Sequence, residues 1–228
     1  MKKILLFSCL FGLFAACGRN PDKQAASKAN QPSLLPSTGE ASAKRVILFF
    51  GNSLVAGYGL DEPSQAFPAL IQRRIDSIGL PYTVVNAGLS GETSAGGDGR
   101  IEWVLRQPVD VFVLELGAND GLRGIPVEET RKNLQSIIDK VRLQYPGVKL
   151  VMVGMQAPPN MGKDFTDGFR QIYPDLARKN SMALVPFLLE GVAGESGLNQ
   201  SDGIHPTAEG HLILMENVWK EMSGLLKP

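Results

Sequence analysis

The chain has 228 residues, enough for one domain with a sizeable core plus an export segment. Apolar residues make up 43% and charged residues 20%, with Lys+Arg equal to Asp+Glu at 23 each, which excludes the basic excess of a nucleic-acid binder and the acidic excess of a solvating tail. Both cysteines, Cys9 and Cys17, fall in the first 17 residues, so the rest of the chain has no disulfide framework, no cysteine metal ligand and no thiol nucleophile.

Residues 1–16 read as a secretory signal. Lys2 and Lys3 precede an apolar run from Ile4 to Ala16 that is short for a permanent bilayer span. The run ends Leu13-Phe14-Ala15-Ala16-Cys17, which resembles the lipobox of bacterial lipoproteins, although Phe14 stands where Leu is usual. That resemblance implies cleavage before Cys17 and lipid attachment to its thiol. Residues 17–44 are rich in Ala, Ser, Pro, Gln, Asn and Lys without apolar periodicity, the composition of a tether rather than a core. As a flexible coil this segment spans roughly 30 Å, and acyl chains on Cys17 would make the attachment durable. The expected location is the cell envelope, facing the periplasm. Gly18 after the cysteine, where Asp is associated with inner-membrane retention, inclines the reading to the outer membrane.

Residues 45–228 alternate strand and helix. Arg45 to Phe50 is a near-continuous apolar run that fits a strand buried on both faces. Pro63 to Ile78 has helical apolar spacing, with Ser64 as candidate N-cap, Pro68 in the first turn and Gly79 as terminator. Tyr82 to Ala87 is a second strand and Ser94 to Arg106 a glycine-containing helix. Asp110 to Leu116 is a third strand. Pro126 to Tyr145 is the clearest helix, with Glu128 and Glu129 at its positive end and Leu134, Ile137, Ile138, Val141 and Tyr145 in one stripe. Val148 to Met155, Phe165 to Asn180 and Ala183 to Phe187 give strand, helix, strand. Thr207 caps a final helix that runs to Leu225. The expected fold is α/β, a five-stranded parallel sheet with helices on both faces.

Sites in such folds lie beyond the carboxyl ends of the strands. Four loops there carry polar clusters. Gly51-Asn52-Ser53-Leu54 follows the first strand and could present the Ser53 hydroxyl above the sheet edge; taken alone, it is as well read as a turn serine. A nucleotide loop is disfavoured, since no Gly-Lys-Ser/Thr or G-x-G-x-x-G stands there. Gly91, after the second strand, offers an unobstructed N–H or simply a turn. Asn119, in Gly117-Ala118-Asn119-Asp120, offers a side-chain N–H to an oxyanion or an Asx turn. In Asp202-Gly203-Ile204-His205-Pro206 the carboxylate could orient the imidazole, although His205 alone is equally a surface-loop residue. His211, inside the final helix, reads as structural. Together the four loops supply nucleophile, base, orienting acid and oxyanion donors, a complete acyl-transfer set.

Gly51-Asn52-Ser53-Leu54, Gly91, Gly117-Ala118-Asn119-Asp120 and Asp202-Gly203-Ile204-His205-Pro206 resemble, in order, the four blocks of the GDSL or SGNH hydrolases. The segment Glu115 to Gly124 is especially similar to the branch called acyl-CoA thioesterase I, arylesterase or lysophospholipase L1. The resemblance implies a flavodoxin-like α/β/α fold, with Ser53 as nucleophile, His205 as base and Asp202 as its orienting acid. It implies oxyanion donors at Ser53 N–H, Gly91 N–H and the Asn119 side chain, and neither metal nor cofactor. The expected activity is hydrolysis of small acyl oxyesters or thioesters by a monomer, with no nucleic-acid partner. A carbohydrate O-acetylesterase on the same fold, or a non-catalytic surface-displayed binding protein, are the alternatives. The chain departs from the family name at one place: Asn52 stands where Asp is expected, keeping one acceptor oxygen and adding a donor. By position, Leu122 to Pro126 and Met155 to Met161 are candidate walls of an acyl pocket.

Overall fold

A computed structural model describes residues 44–228; the expected signal, the expected lipid attachment at Cys17 and the expected tether up to residue 43 lie outside the described residues. Five strands form one parallel sheet: β1 (Arg45–Gly51), β2 (Tyr82–Gly88), β3 (Val111–Glu115), β4 (Lys149–Val153) and β5 (Ala183–Val185). Their order is β2-β1-β3-β4-β5. The apolar runs become the central strands because both their faces are covered. Ile47 to Phe50 of β1 and Val111 to Leu114 of β3 are fully buried, and each such large side chain contributes about 1.5–3 kcal/mol by leaving water. The edge strands β2 and β5 are only partly buried.

Among the described residues seven α-helices connect and cover the strands: α1 (Ser53–Ala56), α2 (Phe67–Ser77), α3 (Ser94–Val104), α4 (Ala118–Arg123), α5 (Val127–Gln144), α6 (Lys163–Lys179) and α7 (Ala208–Met222). The connection from β1 to β2 runs one way along the sheet, and those to β3, β4 and β5 run the other. Right-handed crossovers then place α2 on one face and α3, α5 and α6 on the opposite face. Packing agrees: α2 lies against α7, while α3 meets α5 and α5 meets α6. The reversal of direction opens a crevice at the carboxyl ends of β1 and β3.

Several expectations are corrected in detail. The helix expected from Pro63 is split into a 3-10 turn, Pro63–Gln65, and α2, whose cap is Ala66 rather than Ser64. Pro68 has no N–H to give the Ser64 carbonyl, which instead accepts from the Arg73 guanidinium at 2.6 Å. Strand β5 stops at Val185, two residues short, because Pro186 cannot donate to a ladder. Helix α6 starts at Lys163, two residues early, and accommodates Pro174. The loops after β1 and β3 are themselves helical, as α1 and α4.

Candidate active site

The end of β1 is built for a sharp turn. A Cβ on Gly51 would lie 2.4 Å from Val55 Cγ2 and 2.5 Å from the Glu115 carbonyl oxygen, so only glycine lets the chain fold under α1. Asn52 caps that helix: its Oδ1 accepts the Leu54 N–H at 2.9 Å. Gly57, at φ 77°, ends it in the left-handed region. Ser53 is thus the first residue of a one-turn helix, nearly buried at the head of the crevice.

Asp202 and His205 approach from the loop before α7. His205 Nε2 lies 2.9 Å from Ser53 Oγ, and His205 Nδ1 lies 2.7 Å from Asp202 Oδ2. Asp202 Oδ1 also accepts the N–H groups of Ile204, at 2.9 Å, and His205, at 3.0 Å. These hydrogen bonds, the His205 side chain's foremost, hold the Asp202 carboxyl well below the usual carboxylate range. With Nδ1–H donated to the carboxylate, the Nε2 lone pair faces the Ser53 hydroxyl. Two residues that sequence patterns did not single out secure this loop. The Tyr58 ring packs 4.7 Å from the His205 ring, and Gln200 donates to the carbonyls of Tyr58, at 2.8 Å, and Pro206, at 2.9 Å.

Gly91 and Asn119 are joined to each other by a set of ties. Gly91 sits at φ 79° in a turn closed by Glu92 N–H to the Leu89 carbonyl at 3.1 Å. Asn119, on α4, donates one Nδ2–H to the Glu92 carbonyl at 3.0 Å, which leaves one amide hydrogen. Arg123 donates to the Gly91 carbonyl at 3.1 Å. Buried Asp120 accepts the Ser94 N–H at 2.8 Å and the Ser94 hydroxyl, pinning α4 to the start of α3. Among the described residues no acceptor is found for the N–H of Ser53 or Gly91. Asn119 stands in the wall of the cavity described next; Gly91 is exposed beside it.

Ser53, Asn119 and His205 open on a cavity of about 520 Å³. Leu122, Met155, Ala157, Phe187, Leu189 and Ile204 give it a mostly apolar wall. Both expected wall segments contribute, although 123–126 and 160–161 do not. The loop from Phe187 to Gly194 also contributes, and no local pattern pointed to it. Apolar side chains of this kind suit hydrocarbon better than hydrogen-bonding groups. Among the described residues no cluster of three or more His, Cys, Asp or Glu side chains is placed to hold a metal ion. Behind Ser53, fully buried Glu115 accepts two hydrogen bonds from Asn52. A single charge inside the apolar run Val111 to Leu116 was the signal that could have marked it.

The comparisons with known proteins fit this geometry. The model of the GDSL-like Lipase/Acylhydrolase family matches residues 49–213. Esterase TesA of Pseudomonas aeruginosa is 42% identical over 188 residues, covering 82% of this chain and 92% of that protein. Thioesterase 1/protease 1/lysophospholipase L1 of Escherichia coli K12 is 34% identical over 190 residues, covering 83% and 88%. A crystal structure of TesA superposes with a TM-score of 0.76 at 42% identity, covering 80% of this chain and all of that one.

Proposed function

The chain belongs to the GDSL-like lipase/acylhydrolase family and is an ester hydrolase, and from that premise we propose that it works by acyl transfer to Ser53. The observation that carries the proposal is the line Asp202 Oδ2, His205 Nδ1, His205 Nε2, Ser53 Oγ, with its 2.7 and 2.9 Å contacts, at the mouth of an apolar cavity. His205 Nε2 takes the hydroxyl proton as Ser53 Oγ bonds to the acyl carbon. The carbonyl electron pair moves to oxygen, which the N–H groups of Ser53 and Gly91 and the free Asn119 amide hydrogen receive; one such donor is worth about 3 kcal/mol in the transition state. As the tetrahedral species collapses, imidazolium gives its proton to the departing alcohol or thiol. Water, deprotonated by His205, then cleaves the acyl-enzyme and frees the acid.

The substrate class is an oxyester or thioester with a medium or long acyl chain, because the wall beyond Ser53 offers apolar side chains where a glycan would need hydrogen-bonding partners. A fluorophosphonate probe should label the wild type and not Ser53→Ala, and a panel of p-nitrophenyl esters should favour acyl chains longer than acetate. Full hydrolysis by purified Ser53→Ala would refute the nucleophile, and a strong acetate preference would refute the acyl pocket.

The enzyme is proposed to be held at the periplasmic side of the cell envelope by lipid on Cys17, on the strength of the Ala15-Ala16-Cys17 sequence and the tether composition that follows. Metabolic labelling with palmitate that survives Cys17→Ser would refute that.

A further inference from the structure

Glu115 has no part in the acyl-transfer cycle, yet it is fully buried one residue from the nucleophile's turn, across the β1–β3 pair. Its two oxygens meet two donors from a single residue. Oε2 accepts the Asn52 backbone N–H at 3.1 Å, and Oε1 accepts Asn52 Nδ2–H at 3.0 Å. The opposite end of the same amide faces the reaction: Asn52 Oδ1 accepts the Leu54 N–H at 2.9 Å and lies 3.4 Å from Ser53 Oγ. The two ends of an amide have the same shape and opposite polarity. Which end faces Ser53 is therefore decided by what the other end meets.

We infer that Glu115 is a positioning residue for Ser53: by accepting both Asn52 N–H groups, it turns the Asn52 oxygen toward the α1 N-terminus and the Ser53 hydroxyl. The inference rests on Ser53 being the nucleophile. It also gives Asn52 a meaning. The family's name spells Gly-Asp-Ser-Leu, and an aspartate at 52 would bring two carboxyl groups into contact, a pair that needs one shared proton to close. The amide needs none, since it donates to the Glu115 carboxylate directly. Burial without a cation pushes Glu115 up to about 8 despite the two Asn52 hydrogen bonds, so it loses its proton within the ordinary assay range. The other ionisable groups nearby are Tyr173 of α6, kept neutral by burial with its hydroxyl on the Leu116 carbonyl, and Asp120 of α4, engaged by Ser94. No charged group of β1, α1 or β4 acts on Glu115. Asn52 thus keeps the nucleophile's turn closed on the alkaline side, where Glu115 is a carboxylate.

The test is a donor–acceptor exchange, read by pH profiles of ester hydrolysis and by probe labelling. Glu115→Gln sets an N–H against an Asn52 N–H; kcat is expected to fall about tenfold to a hundredfold with KM changed less than about threefold. Asn52→Asp is expected to stay within about tenfold of wild type near about pH 6.5 and to lose activity steeply above about pH 9, where its pair has lost the shared proton and the wild type stays flat. N52D/E115Q restores a donor facing an acceptor at both contacts; it is expected to recover to within about threefold of wild type and to be flat again above about pH 9. A role in stability alone would give parallel losses at every pH. A double variant that is unfolded in a thermal melt, or no more active than the weaker single variant, overturns the inference, as does wild-type kcat in Glu115→Gln. A wild type whose Ser53 resists labelling overturns the nucleophile instead, so the two failures are distinct.

Discussion

Asp202→Asn tests the chemistry most directly, because it changes one proton and almost no shape. Asp202 Oδ1 holds the Ile204 and His205 N–H groups at 2.9 and 3.0 Å, and the asparagine oxygen can keep both. The amide nitrogen then takes the place of Oδ2, 2.7 Å from His205 Nδ1. Two N–H groups cannot share that contact, so Nδ1 becomes the acceptor and the ring proton moves to Nε2. There it points at Ser53 Oγ, 2.9 Å away, where a lone pair is required. Loss of the base by this route costs about 10⁴ in kcat in the buried serine-protease arrangement. The Asp202 side chain here is 38% exposed, so water competes for the contact and part of the imidazole population keeps the useful tautomer. The expected loss is about 10²–10³ in kcat with little change in KM. The assay is steady-state hydrolysis of p-nitrophenyl butyrate alongside the rate of fluorophosphonate labelling, which should fall in parallel. Asp202→Ala, which admits water to Nδ1, should be less stable than the amide variant but no less active. Since its hydrogen bonds hold the Asp202 carboxyl well below the usual range, Asp202 stays ionised across the ordinary assay range. An Asp202→Asn enzyme within about threefold of wild type across the pH range would refute the tautomer argument.

Two further outcomes follow from burial. His211 Nδ1 accepts the Phe67 N–H at 3.2 Å, at the start of α2, and burial pulls its pKa down to about 4, with His205 adding to the shift. The unfolded chain takes up this proton first as pH falls, so stability from this site is present above about pH 6.5 and is lost on the way down to about pH 4, about 3 kcal/mol in all. His211→Asn keeps an acceptor near Nδ1 without titrating, so its melting temperature should fall less across that window; equal slopes for the two proteins would count against this. Leu189→Trp should fill part of the cavity and remove room for about two methylenes at about 0.8 kcal/mol each, lowering kcat/KM for decanoate relative to butyrate esters by about tenfold. An unchanged ratio would mean that the acyl chain lies elsewhere.

The sheet was legible because β1 and β3 are covered on both faces and their sequences carry no alternation to misread. The glycine-flanked polar loops were legible because parallel sheets put sites at one end. What escaped was short or long-range. Helices α1 and α4 have four and six residues, too few for an apolar stripe to repeat. Ser64 looked like a cap, but the missing N–H of Pro68 moved the helix start to Phe67. The contacts of Tyr58 with Gln200 and His205 link segments about 140 residues apart, and no local pattern encodes them. Glu115 was visible as a charge in an apolar strand; its partner was not.

The Ser53 turn and the proposed oxyanion donors stand on the connections after β1, β2 and β3, whereas His205 and most of the cavity wall come from those after β4 and β5. Leu189 shares its connection with Asp202 and His205, whereas Ala157 stands on the connection after β4, apart from Ser53, Asn119 and His205. Substitutions in the wall after β4 can therefore change which ester fits while the Ser53 turn and its partners keep their own supports.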